Sequence, residues 1–270
     1  MANINLHRPK KRWSQNFLQD DNIARKIANT LQIPSPGLII EIGPGHGILT
    51  YYLLNKAKRL LAIEIDPVLA EQLPRTLKMP ENLVVIQQDF IGLNISKILN
   101  SSSYDHVAII GNLPYHITSP ILFKVLEQFH YFQLAVFTVQ KEVAHRIAAK
   151  PNSKKYGILS VFCQFYAMVE YLFSIPATVF YPKPQVDSGV IRLTFQKEAE
   201  KVVLNPSLFR EIVRQTFGQR RKMLRNTLSN LFSETILSKL SLDLTRRPET
   251  LSVSEFIDLA NQLQKIQMGD

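Results

Sequence analysis

The chain has 270 residues, 46% of them hydrophobic, enough for one sizeable core and a smaller second one. Its 32 Lys and Arg against 22 Asp and Glu give a formal net charge of +10 and so a polyanionic partner; no apolar run reaches the length of a membrane span, which favours nucleic acid over a membrane and a cytoplasmic location. The single cysteine, Cys163, excludes an internal disulfide, and six histidines without ligand spacing point to no metal.

The basic start, "HRPKKRW", runs into the polar "SQNFLQDDN", where a signal peptide would need its apolar stretch. Four short apolar runs then follow in order: "LIIEIG" from Leu38, "LLAIEID" from Leu60, "LVVIQQD" from Leu83 and "HVAIIGN" from His106. Between them, "ILTYYLLNKA" carries helical periodicity, and "PVLAEQLPRTL" opens on Pro67, which suits a first helical turn. Alternating strands and helices predict an α/β fold with a parallel sheet covered on both faces. A fifth strand is expected at "LAVFTVQ", and "GVIRLTF" from Gly189 is expected to close the sheet. "LSVFCQFY" around Cys163 reads as apolar core. Beyond Phe195 the charged "QKEAEKVVLNPS" reads as a linker, and the remainder is helical in period, with segments from "LFREIVRQTF" to "SVSEFIDLANQLQKI". The expected division is 1–196 and 197–270.

In an open parallel sheet, ligands bind beyond the carboxyl ends of the strands. The four runs deliver Glu41 with Gly43, Glu64 with Asp66, Asp89, and Asn112 to that edge, and from Gly43 the steps are 21, 25 and 23 positions. Gly43, Gly45 and Gly47 form G-x-G-x-G, which lets backbone approach a ligand; Ile48 stands where a pyrophosphate-binding turn has its third glycine. Glu64 suits a ribose diol and Asp89 an exocyclic adenine amine. Taken singly, each acid reads more readily as a solvated strand end or a helix cap. Taken together they describe a pocket for an adenosine-containing cofactor without phosphate, which fits S-adenosylmethionine better than a dinucleotide.

"GNLPYHI" ends the fourth run with an amide at Asn112, a turn at Pro114 and a ring at Tyr115. A nucleobase amine is a poor nucleophile because its lone pair is delocalised. If the Asn112 oxygen and the Leu113 carbonyl accept its two hydrogens, the nitrogen is drawn toward tetrahedral geometry, and those contacts strengthen as it becomes positive. Pro114 holds the turn and Tyr115 stacks on the base. The bland alternative is an ordinary Asn-Pro-type turn under a packed tyrosine.

"SQNFL", "EIGPGHGILT", "AIEID", "QQDF", "GNLPYHI", "VQKEVAHRI", "PNSKKYGILSV", "FYPKPQVDSGVIRL" and "GQRRKMLRNTL" together resemble the ribosomal RNA adenine dimethyltransferases over nearly the whole chain. "PNSKKYG" and "GQRRKMLRNTL" are most similar to the small-subunit branch, whose members dimethylate two adjacent adenines in the loop of the 3′-terminal hairpin of 16S rRNA. The resemblance implies a Rossmann-like class I methyltransferase domain with a seven-stranded, mostly parallel sheet, a small helical C-terminal domain that binds rRNA, and S-adenosylmethionine as cofactor. It also implies 16S rRNA in the small ribosomal subunit or a late precursor as partner, and a monomer. By the same resemblance Asn16, Leu18, Gly43, Glu64, Asp89 and Asn112 line the cofactor site, and Phe180 is a second aromatic holding the base. Ser14 stands where the family usually has glycine, and His116 where asparagine is commoner.

Basic residues cluster at Arg8, Lys10, Lys11 and Arg12, at Lys150, Lys154 and Lys155, and at Arg220, Arg221, Lys222 and Arg225, the last set expected on one helix. Charge runs are commonly solvated faces; several separated runs under a net positive charge suit an extended RNA surface. The competing readings are a non-catalytic RNA- or DNA-binding assembly or transcription factor on the same fold, a 23S rRNA enzyme of the resistance branch, and a nicotinamide-dependent oxidoreductase. The last lacks its pyrophosphate turn.

Overall fold

The computed structural model describes residues 13, 15–32, 37–99, 104 and 106–269. Arg8, Lys10, Lys11, Arg12 and the Ser14 departure lie outside the described residues. The chain forms two compact units: residues up to Ala144 with Glu170–Phe195, and His145–Val169 with Gln196 onward. Residues 145–169 group with the C-terminal helices, so the chain passes between units three times where the sequence suggested one boundary near 197.

The first unit is built on a sheet of seven strands. In chain order the strands are β1 (Phe17–Leu18), β2 (Leu38–Ile42), β3 (Arg59–Glu64), β4 (Leu83–Gln87), β5 (Val107–Asn112), β6 (Leu134–Gln140), β7 (Ala167–Ile175), β8 (Phe180–Tyr181) and β9 (Ser188–Phe195). The sheet runs β4-β3-β2-β5-β6-β9-β7, with β4 to β6 mutually parallel and β9 antiparallel to β6. Its winding reverses between β2 and β5, the switch point at which such sheets bind ligands. Strand β2 is buried throughout, as a central parallel strand covered on both faces must be, whereas the edge strand β4 is only partly covered.

Helices α1 (Asp21–Asn29), α2 (Ile48–Leu54), α3 (Pro67–Thr76), α4 (Ile95–Leu99), α5 (Thr118–Glu127) and α6 (Lys141–Ile147) follow the strands. Pro67 takes the first position of α3, where no backbone N–H is needed, and the Asp66 side chain caps the helix by accepting from the Val68 N–H at 3.0 Å. The core below joins Ile39, Leu53, Leu60, Ala108, Ile110 and Val136. Fully burying each of the larger side chains stabilises by roughly 1.5–3 kcal/mol.

Two strands differ from expectation. The "GVIRLTF" segment is β9, an interior strand rather than the closing one, and the edge is β7, held to β9 by a two-pronged Arg192–Glu170 ion pair at 2.8 and 2.9 Å. Ala167 is both the cap of α7 (Ile158–Tyr166) and the first residue of β7, so no turn residue announces that strand.

In the second unit Cys163 lies fully buried in α7, whose Phe165 packs against Phe209 at 4.4 Å between ring centres. Phe209 belongs to α8 (Pro206–Gly218), capped by Asn205. Then come α9 (Leu224–Leu228), α10 (Glu234–Leu237) and α11 (Val253–Met268), the last opened by a Ser252–Glu255 capping box. No helix among the described residues is long and apolar enough to cross a membrane.

Candidate active site

The β2 strand ends at Ile42, which sits opposite Ile63 on one side and Gly111 on the other. Gly43, Glu64 and Asn112 are therefore neighbours along one edge because register makes them so. Gly43 has φ +65°, and a Cβ there would project into open space, while a Cβ on Gly45, at φ +57°, would stand 2.9 Å from the Phe17 ring. The first glycine leaves room for a ligand; the second admits the β1 aromatic that closes over the turn. His46 packs against the same Phe17 ring, 4.3 Å between ring centres and tilted by 54°.

Behind the turn, Glu64 is only 3% exposed. Its Oε2 accepts from the Gly45 N–H at 3.1 Å and its Oε1 from the Asp66 N–H at 2.9 Å. Burial raises its pKa, and these two donors oppose the shift. Glu41, on the neighbouring strand and 1% exposed, is pushed up to about 8 by burial, with the Glu64 charge adding to the effect. Its Oε2 is buried without a hydrogen-bond partner. Asp89 is exposed one turn beyond β4, and its Oδ1 accepts from the Ile91 N–H at 2.9 Å.

Opposite this wall, Asn112 is half-buried and donates its side-chain N–H to the Asn16 carbonyl at 3.0 Å. A carbonyl only accepts, so this contact engages the amide nitrogen and leaves Oδ1 as the group's acceptor. The Leu113 N–H donates to the Thr138 carbonyl at 3.0 Å, and the Thr118 hydroxyl donates to the Pro114 carbonyl at 3.1 Å. These bonds hold the Asn112–Tyr115 turn between β6 and α5. The half-buried Tyr115 shares a 2.8 Å hydrogen bond with the Ser188 hydroxyl, and burial raises its pKa.

One cleft, enclosing about 1080 Å³ including open solvent, gathers Asn16, Leu18, Gly43, Gly45, Glu64, Asp89 and Asn112 with Leu113, Pro114 and Tyr115. Phe180 is not among the lining residues. It is 4% exposed, opposite Leu18 in the two-stranded β1–β8 ribbon, and belongs to the core cluster, while its neighbour Tyr181 is 54% exposed. Sequence reasoning assigned no role to Ser188 or to Phe17, although both lie in the quoted motifs, and it gave no role to His46 in the glycine turn. Among the described residues no group of three or more His, Cys, Asp or Glu is placed to hold a metal.

The second unit carries the basic residues. Lys154 and Lys155 are exposed on a turn before α7. Arg220 donates to the Lys154 and Ser153 carbonyls at 2.7 and 3.1 Å and lies 3.8 Å from Glu249. Arg221 and Lys222 are exposed, and Arg225 pairs with Glu234 at 3.4 Å. The expectation of one basic helix is corrected: α8 ends at Gly218, Arg220 to Lys222 lie in the bend after it, and only Arg225 is helical, on α9. The Lys222 N–H donates to the Gln219 carbonyl at 2.8 Å, a turn contact that replaces a continued helix.

A family model for ribosomal RNA adenine dimethylase matches residues 6–265. The ribosomal RNA small subunit methyltransferase A of Francisella tularensis subsp. novicida is 43% identical over 94% of this chain and 97% of its own. That of Bacillus cytotoxicus is 42% identical over 94% of this chain and 91% of its own. Among solved structures, a dimethyladenosine transferase from Plasmodium falciparum shares the fold, with a TM-score of 0.79 at 23% identity over 94% of this chain and 98% of that one. The 23S rRNA methyltransferase ErmE aligns with a TM-score of 0.69 at 25% identity over 92% of this chain and 100% of that one. A class I methyltransferase sheet with Asn112–Tyr115 beside its glycine turn, matched nearly end to end by these relatives, makes this chain a member of the ribosomal RNA adenine dimethylase family.

Proposed function

We propose that this protein uses S-adenosylmethionine to dimethylate N6 of two adjacent adenines in the loop of the 3′-terminal hairpin of 16S rRNA, acting as a monomer on the small subunit or a late precursor. The observation that carries the reading is the placement of the Asn112–Tyr115 turn and the Gly43–Gly45 turn at adjacent strand ends in one cleft.

The residues present fit the cofactor. Gly43 opens the space a ligand needs, Glu64 has its carboxylate held by backbone at the next strand end, and Asp89 follows at the third. Glu64 and Asp89 line the cleft as carboxylates beside the protonated Glu41, a setting that disfavours a pyrophosphate and accepts an uncharged nucleoside. Asn16, Leu18, Gly43, Gly45, Glu64 and Asp89 would hold it, Glu64 at the ribose and Asp89 at the adenine amine. When bound, this cofactor supplies an electrophilic methyl group on a sulfonium centre.

The chain's own groups prepare the acceptor. Asn112 Oδ1 and the Leu113 carbonyl accept the two hydrogens of the target amine, localising its lone pair, and both contacts tighten as positive charge develops on nitrogen. Pro114 sets the turn and Tyr115 stacks on the base. Phe180 is assigned the second face of the base, although its ring is 4% exposed and packed in the core cluster opposite Leu18. No strong base is needed, since the alkylated amine loses its proton to water. Lys154, Lys155, Arg221, Lys222 and Arg225 of the second unit contact rRNA phosphates, with Arg220 holding the Lys154 turn in shape.

The test is transfer of label from methyl-tritiated S-adenosylmethionine to small subunits lacking these methyl groups, with large subunits in parallel. Dimethyladenine in 16S rRNA alone is expected. Label in 23S rRNA, or none in either, would replace the reading with one of its competitors.

A further inference from the structure

Lys124 has no part in the chemistry described so far. It lies on α5, the helix that begins three residues beyond Tyr115 and whose first turn the Thr118–Pro114 hydrogen bond ties to the amine clamp. About 9 Å further along that helix, at 1.5 Å per residue, the half-buried Lys124 ammonium turns to the loop after β4. It donates to the Leu93 carbonyl at 2.6 Å and also to the Ile91 carbonyl, and stands 5.7 Å from the centre of the Phe90 ring. The same loop begins with Asp89, whose carboxylate is turned by the Ile91 N–H. Lys124 thus grips from outside the short turn that Asp89 shapes from inside. The negative charge of Asp89 acts on it at longer range, with Glu127 of its own helix.

We propose that Lys124 is a positioning residue for adenine recognition: by clamping the Ile91 and Leu93 carbonyls to α5, it sets the Asp89 carboxylate in register with the Asn112–Tyr115 turn. The proposal rests on the reading of Asp89 as the acceptor of the cofactor's adenine amine. A loop hydrogen-bonded only to itself would let Asp89 wander, and a ligand would lose orientation at one end while its other contacts persisted. A donor on the helix that also carries the clamp ties both ends of the reaction to one rigid element.

Calorimetric titration of the full chain with S-adenosylhomocysteine, and with its analogue carrying hydrogen in place of the adenine amine, tests this on the parent, Lys124→Met, Lys124→Arg and Asp89→Ala. The parent and Lys124→Arg should prefer the amine-bearing compound by roughly tenfold or more, the strength of one hydrogen bond to a charged group. Asp89→Ala should lose that preference. Lys124→Met should approach Asp89→Ala in preference while keeping the parent's affinity for the amine-free analogue, and its backbone amides at 90–93 should exchange faster without ligand. A Lys124→Met protein with the parent's preference overturns the proposal, as does an equal loss of affinity for both compounds, which marks a merely structural lysine. If Asp89→Ala keeps the preference, the reading of Asp89 fails, and the proposal with it.

Discussion

The two walls of the cleft are built on opposite principles. On the β2–β3 side both oxygens of Glu64 are bound by backbone N–H groups, and burial keeps that carboxylate and its neighbour Glu41 in place. On the β5 side Asn112, Pro114 and Tyr115 are half-buried: Asn112 donates to the Asn16 carbonyl, Tyr115 pairs with the Ser188 hydroxyl, and the Pro114 carbonyl accepts from the Ile117 N–H and the Thr118 hydroxyl. A buried carboxylate held by backbone at both oxygens suits a small ligand of constant shape, whereas half-buried groups each held at one polar atom suit a base that arrives attached to a polymer. The phenyl ring of Phe180 sits with the first kind, although its proposed role belongs to the second.

The largest expected effect tests that misfit. Phe180→Ala should destabilise the ligand-free protein by about 3–5 kcal/mol, as truncation of a core phenylalanine does. Phe180→Leu separates the roles, because it keeps apolar volume and loses the flat ring. It should hold its melting temperature and cofactor affinity while losing roughly 1–3 kcal/mol of stacking, read as slower methyl transfer to RNA. Unchanged transfer by Phe180→Leu would make Phe180 a core residue only.

Next is Asn112→Ala, which at saturating cofactor should slow single-turnover transfer by roughly a hundredfold to a thousandfold. A near-parental rate would show that the open wall does not orient the amine. On the tied wall, Glu64→Ala should weaken S-adenosylhomocysteine binding by about 1.5–3 kcal/mol per lost ribose hydrogen bond. It should also lower the melting temperature, since the Gly45 and Asp66 N–H groups lose their acceptor; an unchanged dissociation constant would remove Glu64 from the site.

Glu41 gives the wall a pH signature. Its pKa is 4.5 when solvated and about 8 in the fold, so between those values the folded protein keeps a proton that the unfolded chain releases. Stability contributed by this group is full below the lower value and falls as pH rises to the upper, by at most about 1.4 kcal/mol per pH unit. Denaturant midpoints across that window should decline less steeply in Glu41→Gln. An identical slope would place the carboxyl in contact with water. Smallest is the effect of the exposed cations: Arg221→Ala or Lys222→Ala should each lower the salt slope of RNA binding by about 0.7–0.9 and leave stability alone. Arg220→Ala should lower stability as well, because its guanidinium holds two carbonyls.

Much of this was legible in the chain. Strand ends at Gly43, Glu64, Asp89 and Asn112 declare themselves because apolar runs stop at polar groups, and a parallel sheet aligns such stops by register. The β7 edge was hidden because α7 passes into it without a turn. The fate of Arg220 was hidden for another reason: a cation that binds carbonyls 66 and 67 residues away looks in sequence like any solvated one. Lys124 shares that concealment, its partners being backbone carbonyls that carry no residue signature.

The only thiol of the chain has a consequence of its own. Cys163 is wholly buried in α7, and burial pushes it up to about 12, so in the native protein at neutral pH it is neither accessible nor ionised. A thiol reagent consequently cannot report on the methyl-transfer cleft. It becomes a clock instead: its reaction rate counts how often helix α7 opens.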